Sequence, residues 1–456
     1  TMYFRDYPFK GGYAVACGMA QLACDRIRDI PDRHISFYTK AMGEARRLRS
    51  YVIDHFQKAM DNRWIQVYFQ PVIRSISGTM ASVEALARWV DPKKGTISPG
   101  IFIPYLEESR QIRKLDLYVL EEICRMYQGQ KEMGKTVIPT SFNLSRLDFF
   151  QGSIFEDVET IRERYQMPRN MLYVEITESA FVTEGDVLRQ EIDRFREAGY
   201  EVWMDDFGSG YSSLNTLKDY TFDEIKIDMA FLSQFTEKSQ DIIRAIVRMA
   251  KKIGIHTLVE GVETREQAEF ARSIGCELLQ GYYFGRPLPA AECRPYCRDR
   301  NLSFETLPEA VLLDKAGLID VSQSSPVAIV YDDSQTLQFL QANAGYLQAL
   351  QSMGTRNVSD SNQFLSSLDF PMHQKFRRFA DRARKSGQQE TMTYVDNGQY
   401  MRVNLRTVAQ VGHHCIHRAE LYNISLDEEA RDRQSRHFDT LLRNLSLIHI
   451  SEPTRR

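Results

Sequence analysis

Short apolar runs recur through the middle of this chain, and each closes on a polar side chain. The runs read as β-strands. Their closing residues are Glu84 in VEALARW (83–89), Asn143 in SFNLS (141–145), Glu175 in YVEITES (173–179), Asp205-Asp206 in WMDDFGSGYSS (203–213), Lys226 in EIKID (224–228) and Glu260 in LVEGVE (258–263). The step from 143 to 175 is 32 residues, from 175 to 205 it is 30, and from 226 to 260 it is 34. A (β/α)₈ barrel of about 250 residues allots roughly 31 to each strand–helix unit. Helical stripes lie between the runs. DIIRAIVRMAKKIG (241–254) carries apolar residues at 242, 243, 246, 247, 250 and 253, and Gly254 supplies the stop. The pattern predicts an α/β chain with a TIM-like barrel over 63–295.

The flanks follow other patterns. GMAQLACDRIRD (18–29) has Leu22, Ala23 and Ile27 near one helical stripe. Residues 36–62 read as a connecting helix, with Phe37, Met42, Leu48, Ile53 and Phe56 spaced among charges. A pairing helix and a plain linker fit that stretch equally. Residues 296–325 read as a connector. PVAIVYDD (326–333) then alternates as a strand, and TLQFLQANAGYLQAL (336–350) is a strand passing into a helix at Asn343. MRVNLRTVAQ (401–410) and HHCIHRAELYNIS (413–425) alternate like antiparallel strands. A third unit is therefore expected over 326–430, with a helix over 431–444.

Strands that end in oxygen ligands at barrel spacing carry those ligands to one face, where such barrels do their chemistry. An isolated acid at a strand end is usually a solvated surface group; a whole series at this interval is not. Carboxylates gathered on one face repel and raise one another's pKa values. Hard divalent cations remove that cost, and the set holds no His or Cys that would favour zinc. Two adjacent Asp residues at one strand end suit a bridged metal pair clamping the attacking and leaving oxygens of a phosphodiester. Lys226, inside the acidic set, is placed to hold a water or a phosphate oxygen. The glycines after Asp205-Asp206 allow a mobile turn near a phosphate.

At these residues the chain closely resembles the EAL family of cyclic di-GMP phosphodiesterases, over about residues 60–295. The resemblance implies a TIM-like barrel whose first strand, about 65–72, runs antiparallel to the others. It implies hydrolysis of one phosphodiester of cyclic di-GMP to linear pGpG with two Mg²⁺ or Mn²⁺ ions. By the same resemblance, Glu84, Asn143, Glu175 and Asp205 are ligands of the first metal, and Asp205, Asp206 and Glu260 serve the second. Lys226 resembles the lysine that contacts the nucleophilic water. Glu178 resembles the anchor of the loop after the Asp pair. Glu263 and Gln280 match outer-shell and metal-water positions. Gln70 in YFQPV and Arg88 in EALARW resemble nucleotide contacts, and Phe284 and Pro287 in QGYYFGRPLP match a segment lining a guanine. No metal or lysine position departs from the family pattern. EALARW in place of the usual EALLRW, and Val72 in place of Ile, are apolar swaps that cores tolerate. Two other readings compete: a receptor that binds cyclic di-GMP without cutting it, against which the complete metal set argues, and a hydrolase of another cyclic dinucleotide. A homodimer is implied by the family alone.

Residues 1–35 resemble the last strand and helix of a GGDEF-type domain, but Gly11-Gly12 is followed by Tyr-Ala-Val, so no cyclase activity is assigned. Residues 326–430 weakly resemble a PAS sensor domain. In the HHCIH cluster, alternation puts Cys415 and His417 on one face and His414 on the other, and ordinary strand residues are a better reading than metal or haem ligands.

With 58 Lys and Arg against 61 Asp and Glu, charge is near balance, which argues against a nucleic-acid polymer or an anionic membrane as partner. Seven scattered cysteines without a CxxC pair read as reduced thiols. No run approaches 18 apolar residues, so no membrane span is expected in this stretch. A cytoplasmic protein is expected, with room for an anchor upstream of Thr1, which no initiator methionine precedes. LSLIHISEPTRR (445–456) looks like a translated sequencing-library adapter and is set aside from the fold.

Overall fold

Strand β1 (Ile65–Arg74) turns back at once into β2 (Met80–Asp91), and this hairpin opens the barrel. The following strands are the short β3 (Gly95–Ile97), then β4 (Thr140–Asn143), β5 (Leu172–Thr177), β6 (Glu201–Phe207), β7 (Glu224–Ile227), β8 (His256–Val259), β9 (Leu278–Gln280) and the short β10 (Leu288–Pro289). In this computed structural model, residues 12–25, 27, 35–182, 185–210, 213–352, 362, 373–396 and 398–425 are described. The helix expected over 431–444, the segment 445–456, and Tyr211 and Ser212 of the glycine loop lie outside them.

Strands β2, β4, β5, β6, β7, β8 and β9 run parallel in that order. β1 closes the barrel by pairing antiparallel with both β2 and β9, as the resemblance implies. The strands read as near-continuous apolar runs because both faces are covered: Phe142, Val174, Val202 and Ile225 are fully buried. The helix expected near 241–254 spans Glu237–Ile253 and ends on Gly254 at φ 79°, a left-handed conformation that glycine adopts without strain.

Inside the barrel, Val72, Ala81, Trp203, Leu258 and Leu278 form an apolar layer, with Tyr173 stacked on Trp203 at 4.7 Å between ring centroids. Side chains two apart on a strand share a face. Glu175, Asp205, Glu260 and Gln280 each stand two positions after a member of that layer. The polar layer therefore rests on an apolar floor.

Three expectations need correction. Glu84 does not close its strand: β2 continues to Asp91, because the hairpin with β1 carries it past the barrel rim. Residues 36–62 are not a free linker. The helix Lys40–Asp61 buries Val52, Phe56 and Ala59 in the barrel core. The N-terminal helix spans Gly12–Asp25, earlier than the stripe at 18–29 predicts.

The connector is folded. Phe304 bridges to Met80, and the helix Leu307–Gly317 lies under the barrel. Arg74, at the foot of β1, is buried between Glu305 at 2.9 Å and Asp314 at 2.8 Å. Lys251 Nζ donates to Glu277 at 2.9 Å and to the carbonyl of Gly317. Glu277 also accepts from the Thr257 amide at 3.0 Å. An apolar cluster of Ile76, Leu312, Ala316, Val327, Ile329 and Ile416 joins this foot to the C-terminal unit.

That unit is a five-stranded antiparallel sheet of β11 (Val327–Asp332), β12 (Leu337–Ala342), β13 (Glu390–Asp396), β14 (Gln399–Val411) and β15 (His414–Asn423), in the order β12-β11-β15-β14-β13. Asn343 ties strand to helix: its Oδ1 accepts from the amides of Val327 at 3.0 Å and Tyr346 at 2.9 Å. His417 is a structural strand residue, between Asp332 at 3.1 Å and Thr407 at 3.1 Å, while His414 is exposed. Burial alone would raise the Asp332 carboxyl. Hydrogen bonds from His417 and Arg377 outweigh it and hold the group at about 2 against an ordinary 3.8. A depressed carboxyl stabilises the fold above its ordinary pKa, and the contribution is lost as pH falls from about 4 toward 2. Asp332→Asn is expected to lower the melting temperature at neutral pH, and the gap from wild type is expected to narrow through that window. A gap independent of pH between 7 and 3 would contradict this reading.

Candidate active site

The seven parallel strands lift their side chains to one end, and there Lys226 is surrounded. Its Nζ lies 2.9 Å from Glu175, 2.9 Å from Glu260, 3.1 Å from Asp205 and 3.4 Å from Glu84, and the side chain is 1% exposed. Burial lowers the lysine pKa, but Asp205, Glu175, Glu260 and Glu84 together push it well above the usual range. The ammonium is a fixed positive charge and a hydrogen-bond donor. Burial, then the Glu84 charge, raises Glu175; burial, with Asp205 and Glu84 opposing Lys226, raises Glu260.

Glu84 is braced from both sides. Asn143 Nδ2 donates to its Oε1 at 3.3 Å and Gln280 Nε2 to its Oε2 at 2.6 Å. The register of β1 contributes as well, since Gln70 faces Glu84 and Val72 faces Gln280.

The Asp pair owes its placement to a break in the ladder. Pairing of β6 with β7 is interrupted between Met204 and Phe207, and Asp206 takes φ 56°, left-handed for a non-glycine residue. Such irregularities re-aim side chains at sites. As a result Asp205, Asp206 and Glu260 each present an oxygen within 4.8 Å of the others. Burial, then Asp205 and Asp228, raises the Asp206 carboxyl.

The donor set fits hard divalent cations. Five carboxylates face one ammonium, all the donors are oxygen, and the Oε1 atoms of Glu175 and Gln280 are buried without a hydrogen-bond partner. A cleft of about 740 Å³ opens beside this ring, lined by Glu84, Arg88, Asn143, Arg146 and Asp205 among others.

The family description "EAL domain" matches residues 53–287. The chain belongs to the EAL domain family.

Two curated relatives are similar to this chain. The chain is 32% identical over 258 residues to the bifunctional diguanylate cyclase/cyclic di-GMP phosphodiesterase MucR of Pseudomonas aeruginosa, covering 56% of this chain and 38% of that protein. It is 34% identical over 275 residues to the oxygen sensor protein DosP of Escherichia coli, covering 60% of this chain and 34% of that protein. The chain thus spans only about a third of the length of these relatives. Among solved structures, a PaMucR phosphodiesterase in complex with c-di-GMP matches with a TM-score of 0.51 at 32% identity, covering 53% of this chain and 99% of that one.

The EAL signature residues do not all converge. Glu178 lies at the loop after the Asp pair, where its Oε2 accepts from the amides of Gly208 at 2.9 Å and Gly210 at 3.3 Å. A Cβ on Gly210 would meet Glu178 Oε1 at 2.7 Å, so a larger residue there would force the Glu178 carboxylate to shift. Gln70 donates to the Gly285 carbonyl at 3.2 Å, which ties β1 to the 281–289 segment. Arg88 is half-buried and lies over Tyr68, with its guanidinium carbon 5.9 Å from the ring centroid. Phe284 is half-buried and packs against the core, and Pro287 is also half-buried. Glu263 is exposed on the turn after β8, outside the ring contacts.

Reading the sequence missed Asp228 and Arg146. Asp228 closes the same EIKID run as Lys226, and its charge helps to raise the Asp206 carboxyl. Arg146 follows SFNLS directly and lines the cleft. In both cases the signal was adjacency to a residue already singled out.

Proposed function

We propose that the barrel hydrolyses one phosphodiester of cyclic di-GMP to linear pGpG. The observation that carries this reading is the convergence of Glu84, Glu175, Asp205 and Glu260 on Lys226 at the C-terminal face of the strands. Names of relatives support it: MucR is described as a cyclic di-GMP phosphodiesterase.

Glu84, Asn143, Glu175 and Asp205 would hold one Mg²⁺ or Mn²⁺, and Asp205, Asp206 and Glu260 a second. Bound there, such a pair supplies Lewis-acid stabilisation of the phosphodiester charge. Lys226, held protonated by its neighbours, orients a water oxygen or screens a phosphate oxygen by donating from Nζ, and is a poor general base. Gln280 and Asn143 hold Glu84 in place. Gln70 positions the 281–289 segment, Arg88 offers a cation to the second phosphate, Phe284 and Pro287 line a base, and Glu263 acts from the outer shell. The flanking helix and the PAS-like sheet act as control elements of a cytoplasmic homodimer. Incubating the chain with cyclic di-GMP and Mn²⁺ and following pGpG tests the reading; intact dinucleotide after prolonged incubation would sink it.

Glu178→Ala is expected to lower turnover by about tenfold or more through the glycine loop, since Glu178 fixes two amides of that loop without joining the ring. It is also expected to flatten the ratio of activity between residues 1–444 and the isolated barrel. An unchanged ratio would remove the loop as a relay.

A further inference from the structure

Outside the barrel, between β1, β2 and the helices Ile112–Glu132 and Ala290–Asp299, lies a second cavity of about 130 Å³. Phe69, Val83, Ile123, Met126, Met167 and Leu288 form its walls. Most of the lining is apolar, and apolar cavities of about 150 Å³ take up apolar molecules. Methionine walls adapt to the shape of a guest.

One strong charge borders the cavity. Arg294 Nε donates to Gln130 Oε1 at 3.1 Å and Nη2 to the Thr136 carbonyl, and its guanidinium lies 5.5 Å from the centre of the Phe304 ring. Both hydrogen-bond partners are neutral, and among the described residues no carboxylate pairs with this half-buried guanidinium, so it is open to an anion. A guanidinium matches a carboxylate in both charge and fork geometry.

The geometry points to a binding site for a carboxylate with an apolar chain, of the medium-chain fatty acid class, with its tail among these walls and its head at Arg294. The walls are shared with the proposed substrate segment. Leu288 pairs with Phe69 across β1 and β10. Tyr296, also lining the cavity, donates from its hydroxyl to the Phe284 carbonyl. A Cβ on Gly285 would meet Pro71 at 2.9 Å and Tyr296 Oη at 3.1 Å, so no slack separates the cavity wall from that segment. Occupancy braces residues 284–288 and so acts on substrate binding; this consequence, unlike the site itself, rests on the proposed hydrolysis.

The test is calorimetric titration of the whole chain with octanoate and, separately, with octanol. Octanoate is expected to bind one-to-one and at least about tenfold more tightly than octanol, the difference being the charged contact. Arg294→Gln is expected to bring octanoate down to the level of octanol. Met126→Trp, which fills the cavity with an indole, is expected to abolish both, with its fold checked by circular dichroism. Saturating octanoate is expected to lower the KM for cyclic di-GMP at least about twofold with kcat unchanged. No saturable octanoate binding to the wild type, or equal affinity in Arg294→Gln, would overturn the site. Binding with KM unchanged would overturn the coupling alone. Binding is read without turnover, so a failure of the proposed hydrolysis shows separately, as absence of pGpG.

Discussion

Asp205→Ala is expected to lower hydrolysis of cyclic di-GMP at least about a thousand-fold. Asp205 belongs to both proposed metal sets, and its oxygen lies within 4.8 Å of oxygens on Asp206 and Glu260. Losing it would take a carboxylate from both proposed sets. Metal stabilisation of phosphoryl charge is worth several kcal/mol, and each 1.36 kcal/mol is about tenfold in rate. The fold is expected to survive, because the ring sits above the apolar floor around Trp203 and contributes no packing to it. In EDTA the variant is expected to melt no lower than wild type, since one carboxylate fewer repels the rest. Retention of a tenth of wild-type turnover would remove Asp205 from the mechanism. A melting temperature well below wild type in EDTA would mean that the side chain is structural.

Lys226→Ala should separate binding from chemistry. The ammonium is the counter-charge of four carboxylates within 3.4 Å. Breaking a buried ion pair by removing one partner costs about 3–5 kcal/mol. In EDTA the variant is therefore expected to be strongly destabilised, and Mn²⁺ is expected to restore most of the loss by replacing the missing charge. Turnover with Mn²⁺ is expected to fall far more than affinity for cyclic di-GMP measured with Ca²⁺, an ion suited to binding without chemistry. Equal losses of affinity and turnover would reduce Lys226 to a ligand-holding role. Equal destabilisation with and without Mn²⁺ would show that metals do not share its place.

How much of this was legible depends on what each feature needs. Parallel strands buried on both faces leave a plain trace, a short apolar run closing on a ligand, repeated at a constant interval. That trace located Asn143, Glu175, Asp205, Lys226 and Glu260. Glu84 was found although its strand runs on, because the motif around it is distinctive while strand length is set by pairing with β1. Asp228 was passed over because one carboxylate two residues from a lysine carries no pattern of its own. The connector helix left a weaker trace for a different reason. Its helix has no strong apolar stripe, because part of its attachment is ionic and distant in sequence: Arg74 meets Asp314 across 240 residues. Likewise the helix Lys40–Asp61 looks like a linker until the barrel supplies the surface that buries Phe56.

The Lys251–Glu277 pair under the barrel has a mechanical meaning. Glu277 is clamped to Lys251, which also grips the end of the connector helix, and Glu277 directly precedes β9. Three residues further on, at the other end of that strand, Gln280 holds Glu84 at 2.6 Å. A strand so short, hydrogen-bonded on both sides, does not stretch or buckle. It is a short, stiff link between the end of the connector helix and Glu84, the carboxylate proposed to hold a metal.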